Sequence, residues 1–193
     1  MHTTMSLSAV APQQSRSLRQ SGFTMVELMV TVAIMAVLLT IAAPSFSEIM
    51  LSTRLASFAN SFIASAQLAR SEAIKRNAQV RVCRSTTSTS CASSGGWQQG
   101  WVVFLDRNGN GAVDFNTDPN LDDTIIQKQA ALVTGFQLTG NSYSVAFQSM
   151  GDIPNSVSLV LCRASPLGAQ ERRITISTLG KAGVATERTG VCT

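Results

Sequence analysis

Ser21-Gly22-Phe23-Thr24-Met25-Val26-Glu27 opens an apolar stretch that carries no further charge until Glu48. Between Phe23 and Phe46 the only ionisable side chain is Glu27. A helix of about 20 apolar residues spans roughly 30 Å of hydrocarbon, so this stretch predicts a membrane anchor. Arg16 and Arg19 precede it, which places the N-terminus in the cytoplasm and the bulk of the chain on the far side. The run exceeds the ~7–15 apolar residues of a secretory signal. Pro44 also stands just after Ala42-Ala43, where signal cleavage would fall. A carboxylate inside such a segment is costly and is ordinarily kept for a partner, here Glu27, unless it lies near enough to the headgroups to stay hydrated.

The polar leader, the Gly22-Phe23 junction, Glu27 and Pro44 together resemble the processing site of type IV pilin-like proteins. The resemblance implies cleavage after Gly22 by a prepilin peptidase, methylation of the new N-terminal residue Phe23, and assembly through Glu27 pairing with a neighbouring subunit's N-terminal amine. It also implies an inner-membrane assembly platform and other pilins or pseudopilins as partners.

Of 193 residues, roughly 145 lie beyond leader and anchor, which suits one domain with one core. The formal charge of +4 falls to +2 once Arg16 and Arg19 are lost, too little to argue for nucleic acid by itself. Cys83, Cys91, Cys162 and Cys192 all fall on the side predicted to face the periplasm, where disulfides persist. Spacing favours Cys83 with Cys91 and Cys162 with Cys192, with the other two connectivities left open. Zinc is disfavoured, because there is no Cys-x-x-Cys and the only histidine is His2. The same lack of histidine removes Ser-His-Asp and Cys-His mechanisms, and adjacent acids such as Asp122-Asp123 read as a solvated turn or strand edge.

After Pro44, Leu51, Leu55, Phe58, Phe62, Ala66, Ala69 and Ala73 recur at helical spacing, predicting an amphipathic helix that ends near Asn77. With the anchor it makes a helical spine of about 54 residues, roughly 80 Å, disturbed at Pro44. Beyond it, short β-type runs at 79–84, 100–105, 124–128, 142–147, 156–162 and 172–177 alternate with Gly/Asn/Pro turns. The expected fold is α+β: a long N-terminal helix, half transmembrane and half amphipathic, packed against an antiparallel β-rich head. The expected divisions are a leader (1–22), an anchor (23–46), an amphipathic helix (47–77) and a periplasmic head (78–193).

Leu68-Ala69-Arg70-Ser71-Glu72-Ala73-Ile74-Lys75-Arg76-Asn77, then Gly100-Trp101-Val102-Val103-Phe104, Asp106 and Asn108-Gly109-Asn110, then Ile174-Thr175-Ile176-Ser177 and Gly180 are similar to the FimT/GspH family of minor pilins and pseudopilins. That resemblance implies a pilin-like head and a structural, non-enzymatic subunit of a type IV pilus or a type II secretion pseudopilus. Members tied to DNA uptake carry a C-terminal Gly-Arg-x-Arg motif, and the matching positions here read Gly180-Lys181-Ala182-Gly183. The alternative function is therefore a DNA-binding minor pilin, with Arg172, Arg173, Lys181 and Arg188 as the candidate patch; Trp97 and Trp101 are candidate stacking surfaces, although a Trp flanked by Val102, Val103 and Phe104 more often belongs to a core.

No cofactor is expected, with one reservation. Asp106, Asn108, Asn110 and Asp114 place oxygens at the first, third, fifth and ninth positions of a calcium-loop pattern, with Gly111 at the sixth. The twelfth position is Thr117, where an acid would complete it, and a plain Asn-Gly turn is the favoured reading of the same residues, because the loop lacks the charge count of a tight calcium site.

Overall fold

Residue periodicity and capping set the principal helix. In the computed structural model, which describes residues 22–114, 122–164, 170–187 and 192 and omits the side chains of 41–45, helix α1 runs Met25–Arg76. It stops at Asn77, which adopts a left-handed φ of 50°. The Asn77 N–H donates to Ile74 O and the Ala78 N–H to Ala73 O, a Schellman closure that satisfies the last carbonyls. Lys75 and Arg76 complement the negative end of the helix.

The chain divides into two compact units that meet between Pro44 and Ser45. In the first, the described apolar side chains of 23–40 are exposed, among them Phe23, Met25, Leu28, Ile34 and Leu38. Among the described residues no helix is long and apolar enough to cross a membrane; the described side chains of this stretch stop at Thr40 and resume at Phe46.

The second unit holds the rest of α1 and two four-stranded antiparallel sheets. In chain order the strands are β1 (Val80–Arg84), β2 (Trp101–Leu105), β3 (Thr124–Gln129), β4 (Phe136–Gly140), β5 (Ser144–Phe147), β6 (Val157–Arg163), β7 (Glu171–Ile176) and β8 (Ala182–Glu187). One sheet has the order β3-β2-β1-β5 and the other β4-β6-β7-β8. Alternation along β4, β6 and β7 sends Phe136, Leu138, Val157, Leu159, Leu161, Ile174 and Ile176 into the core. There they meet Val80, Val82, Trp101, Val103, Leu105, Val145 and Phe147 from the first sheet and a stripe of α1.

That stripe is Leu51, Leu55, Ala59, Phe62, Ala66, Ala69 and Ala73. It differs from the predicted one at a single position: Ala59 is fully buried, and Phe58 is half-buried with its ring edge-on to Phe136 at 5.0 Å. A small residue at 59 lets the helix approach closely, while the larger ring packs at the margin. Phe62 stands edge-on to Trp97 at 5.0 Å and to Trp101 at 5.3 Å. The indole N–H of Trp97 donates to Ser142 O at 2.8 Å, and that of Trp101 to Ser65 Oγ at 2.9 Å.

Strand β2 is buried along its whole length. Its second face, Val102 and Phe104, packs with Cys83 under Cys91, Val113 and Ile125, so the start of the β2–β3 connection lies over the outer side of the sheet. Two strands, β4 and β8, lie outside the six predicted runs. Sheet edges hold both: β4 is only Phe136–Gly140, and β8 is a mostly exposed Ala-Gly-Val-Ala-Thr-Glu ribbon whose composition carries little strand propensity.

Candidate functional site

Thr24 and Glu27 form a capping box at the first turn of α1. The Thr24 N–H and hydroxyl both donate to Glu27 Oε2 at 3.1 Å, and the Glu27 N–H donates to Thr24 Oγ1 at 3.2 Å. Reciprocal bonds of this kind satisfy two of the orphan donors of a helix N-terminus. Glu27 thus has a local structural role, and Thr24 is a functional neighbour that the sequence reading passed over although Thr-x-x-Glu is legible in the sequence. Immediately before the box, Phe23 is 79 % exposed and an added Cβ at Gly22 would meet nothing within 4 Å. The leader through residue 21, with Arg16 and Arg19, lies outside the described residues.

Of the four basic residues expected as a patch, Arg172, Arg173 and Lys181 lie among the described residues. Arg172 is buried, donating to Glu171 O at 3.0 Å and to Ser52 Oγ of α1 at 2.8 Å. Its neighbour Arg173 points to the opposite face, where it pairs with Glu187 at 2.5 Å and donates to Ser158 Oγ at 3.1 Å. Lys181 is exposed in the turn before β8, and Arg188 lies outside the described residues. Trp97 and Trp101 are 1 % and 0 % exposed, so neither offers a face for stacking on a base.

Both favoured disulfides are present, with Cα–Cα separations of 5.6 Å for Cys83–Cys91 and 5.7 Å for Cys162–Cys192. The first closes residues 83–91 into a loop, and Arg84, within it, fastens the segment that follows Cys91. Arg84 is 3 % exposed; its guanidinium donates to Ala92 O at 3.0 Å, to Ser93 O at 2.6 Å and to Gly95 O, and lies 3.9 Å from the centre of the Tyr143 ring.

In the β2–β3 connection, Asp106 is fully buried and pairs with Arg81 Nε at 2.9 Å. Its Oδ2 also accepts from the Gly111 N–H at 3.1 Å, and its Oδ1 has no hydrogen-bond partner. Asp123, at the start of β3, accepts from the Arg107 N–H at 3.0 Å and the Asp114 N–H at 3.2 Å. Burial pushes the Asp123 carboxyl above the usual carboxylate range despite those two donors, and the charges of Asp114 and Asp106 add to the rise. Among the described residues no three Asp, Glu, Cys or His side chains form a metal cluster. Thr117 lies outside the described residues.

A family model described as type II transport protein GspH matches residues 59–180, and one described as the prokaryotic N-terminal methylation motif matches residues 17–43. Among solved structures, the chain is similar to the type IV minor pilin FimU of Pseudomonas aeruginosa strain PAO1, with a TM-score of 0.50 and 16 % identity over 69 % of this chain and 90 % of that one. It is also similar to the minor pseudopilin EpsH of the Vibrio cholerae type 2 secretion system, with a TM-score of 0.45 and 15 % identity over 68 % and 96 % of the two chains. No curated protein matches the chain significantly. At these identities the first structure speaks to the fold alone.

Proposed function

The chain belongs to the GspH family of type II transport proteins, and we infer from that membership that it is a minor pilin or pseudopilin, a structural subunit for pilus or secretion assembly. The observation that carries this reading furthest is the exposed apolar side chains of 23–40, which lie within the stretch matched by the N-terminal methylation motif. So many apolar side chains at one end of a chain call for cover, by lipid first and by neighbouring subunits after assembly. The precursor is cleaved after Gly22 by prepilin peptidase and Phe23 is methylated. Residues 23–46 hold the subunit in the inner membrane as a single pass, with the head in the periplasm, until an assembly platform moves it into a filament beside other pilins or pseudopilins.

Glu27 serves two roles in this scheme. Thr24 engages its Oε2, and a carboxylate accepts at both oxygens, so capping its own helix is compatible with pairing to a neighbour's N-terminal amine. No catalytic step is assigned. The only histidine, His2, falls in the leader that is removed, which supports a structural subunit.

Replacing Gly22 with Leu should leave the full-length precursor on an immunoblot of the producing cells; mature-length protein would reject the cleavage site. Glu27→Ala should yield a processed, membrane-resident subunit that is missing from sheared filaments or cross-linked assemblies. Thr24→Val, which breaks the cap but keeps the carboxylate, should still be incorporated. Equal loss in both variants would assign Glu27 to helix capping alone.

A further inference from the structure

The described start of the β2–β3 connection is organised around side-chain oxygens that accept its own backbone N–H groups. Three side chains at alternate positions each accept from a backbone N–H further along the loop: Asp106 Oδ2 from Gly111 at 3.1 Å, Asn108 Oδ1 from Asn110 at 3.0 Å, and Asn110 Oδ1 from Ala112 at 2.8 Å. Such bonds curl the backbone about its own Asx side chains, and the left-handed φ of 74° at Gly109 and 82° at Gly111 permits the tight path. A surface turn would need none of this beyond the glycines.

Asp106 goes further than a turn requires. Its side chain is wholly buried, yet Oδ1 has no donor, although Arg81 and Gly111 both serve Oδ2. A buried carboxylate oxygen without a partner is destabilising by an amount that a hydrogen bond or a cation would relieve. The surroundings add negative charge: Asp114 is reached by the side-chain amides of Asn108 at 3.3 Å and Asn110 at 2.6 Å, and Asp123 holds the Arg107 and Asp114 N–H groups from the other side. Arg81 pairs with Asp106 through Oδ2.

We propose that this loop binds one calcium ion through Asp106 Oδ1, the side-chain oxygens of Asn108 and Asn110, the Ala112 carbonyl and the Asp114 carboxylate, with Asp123 holding the loop in place from β3. The donor set is entirely oxygen and mostly uncharged, which suits a hard cation with a flexible shell of six to eight ligands. Amide and carbonyl oxygens supply three of its five donors. Magnesium demands a near-ideal octahedron at about 2.1 Å that a loop of this kind does not impose. With few charged ligands, affinity falls in the weak class of extracellular modules, about 10⁻⁴ to 10⁻³ M. Binding would lock residues 106–114 against the Val102, Phe104 and Cys83 cluster that Val113 covers, a role independent of filament assembly.

The test uses the full-length chain in detergent, stripped with EDTA and titrated calorimetrically with calcium chloride, alongside thermal unfolding with and without the ion. One saturable site per chain and a melting temperature that climbs with calcium are expected, with magnesium ineffective at the same concentration. Asp114→Ala should weaken binding at least about tenfold, with the calcium-induced rise in melting temperature read against that variant's own calcium-free value. Asp106→Asn should do the same where it folds; Asp114→Ala decides the matter if it does not. No saturable heat and no thermal shift up to about 10 mM calcium would overturn the proposal, as would undiminished binding by Asp114→Ala.

Discussion

Arg84, Arg172 and Arg173 show how little a basic residue's identity says about its use. In a sequence they add to net charge; in the fold each is engaged within the chain, two of them at buried positions. Arg84 matters most for stability, because its three carbonyl partners, Ala92, Ser93 and Gly95, lie in the segment just past Cys91 and would lose the donors it supplies. Arg84→Met should therefore cost about 2–4 kcal/mol, read as a lower urea midpoint of the full chain in detergent. Lys at the same place should recover little, since one ammonium cannot reproduce a planar fork of donors. A midpoint within experimental error of the parent would show that the segment after Cys91 does not depend on Arg84. Part of this was legible beforehand. Arg172 and Arg173 are consecutive in a segment already predicted to be a strand, and strand parity alone separates them onto opposite faces. The capture of Arg84 by carbonyls eight to eleven residues later leaves no such trace, because it depends on where the loop returns.

Elements were legible where a period ran long enough. The buried side of α1 follows the helical repeat from Leu51 to Ala73, and six runs of β-type residues fall on six strands. The two strands outside those runs lie at sheet edges, where the neighbouring strand supplies the hydrogen bonds and little apolar pattern is needed. Gly180 belongs to the same class of hidden constraint. It was singled out as the start of a family motif, and its physical reason is steric: with φ at 72°, a Cβ there would sit 1.9 Å from the Gly151 carbonyl oxygen, which also accepts from Arg70 Nε at 3.0 Å. Gly180→Ala should destabilise by at least about 2 kcal/mol through the left-handed backbone and the displaced turn together, seen as a fall in melting temperature. An unchanged melting temperature would mean that the 148–151 and 177–180 turns can separate without loss. On α1, the Arg76 guanidinium bonded to Glu72 at 2.5 Å holds that carboxyl below its usual range, with Lys75 assisting. The contribution is present above the unfolded carboxylate range and fades as pH falls through the lowered value; solvent screening keeps it small.

At the scale of the whole chain, charge decides between an assembly subunit and a DNA receptor. The formal charge is +4, and would be only +2 after the proposed loss of Arg16 and Arg19 with the leader; Arg76, Arg81, Arg84, Arg172 and Arg173 all have partners within the chain. Non-specific DNA affinity comes from neutralising phosphates and releasing counterions, so it requires several cations on one exposed face. Lys181 is such a cation, but the described residues gather no Arg172, Arg173 and Lys181 cluster around it. Binding of duplex DNA by the oxidised full-length protein in detergent should therefore be weak, with a log–log salt slope no steeper than about −2. Lys181→Ala should change it slightly. A slope near −4 or beyond, lost with Lys181→Ala and Arg188→Ala, would instead place a phosphate-binding surface on the C-terminal tail that Cys162–Cys192 tethers. In that event the helix would still deliver the subunit to a filament, and the head would be the part that meets DNA.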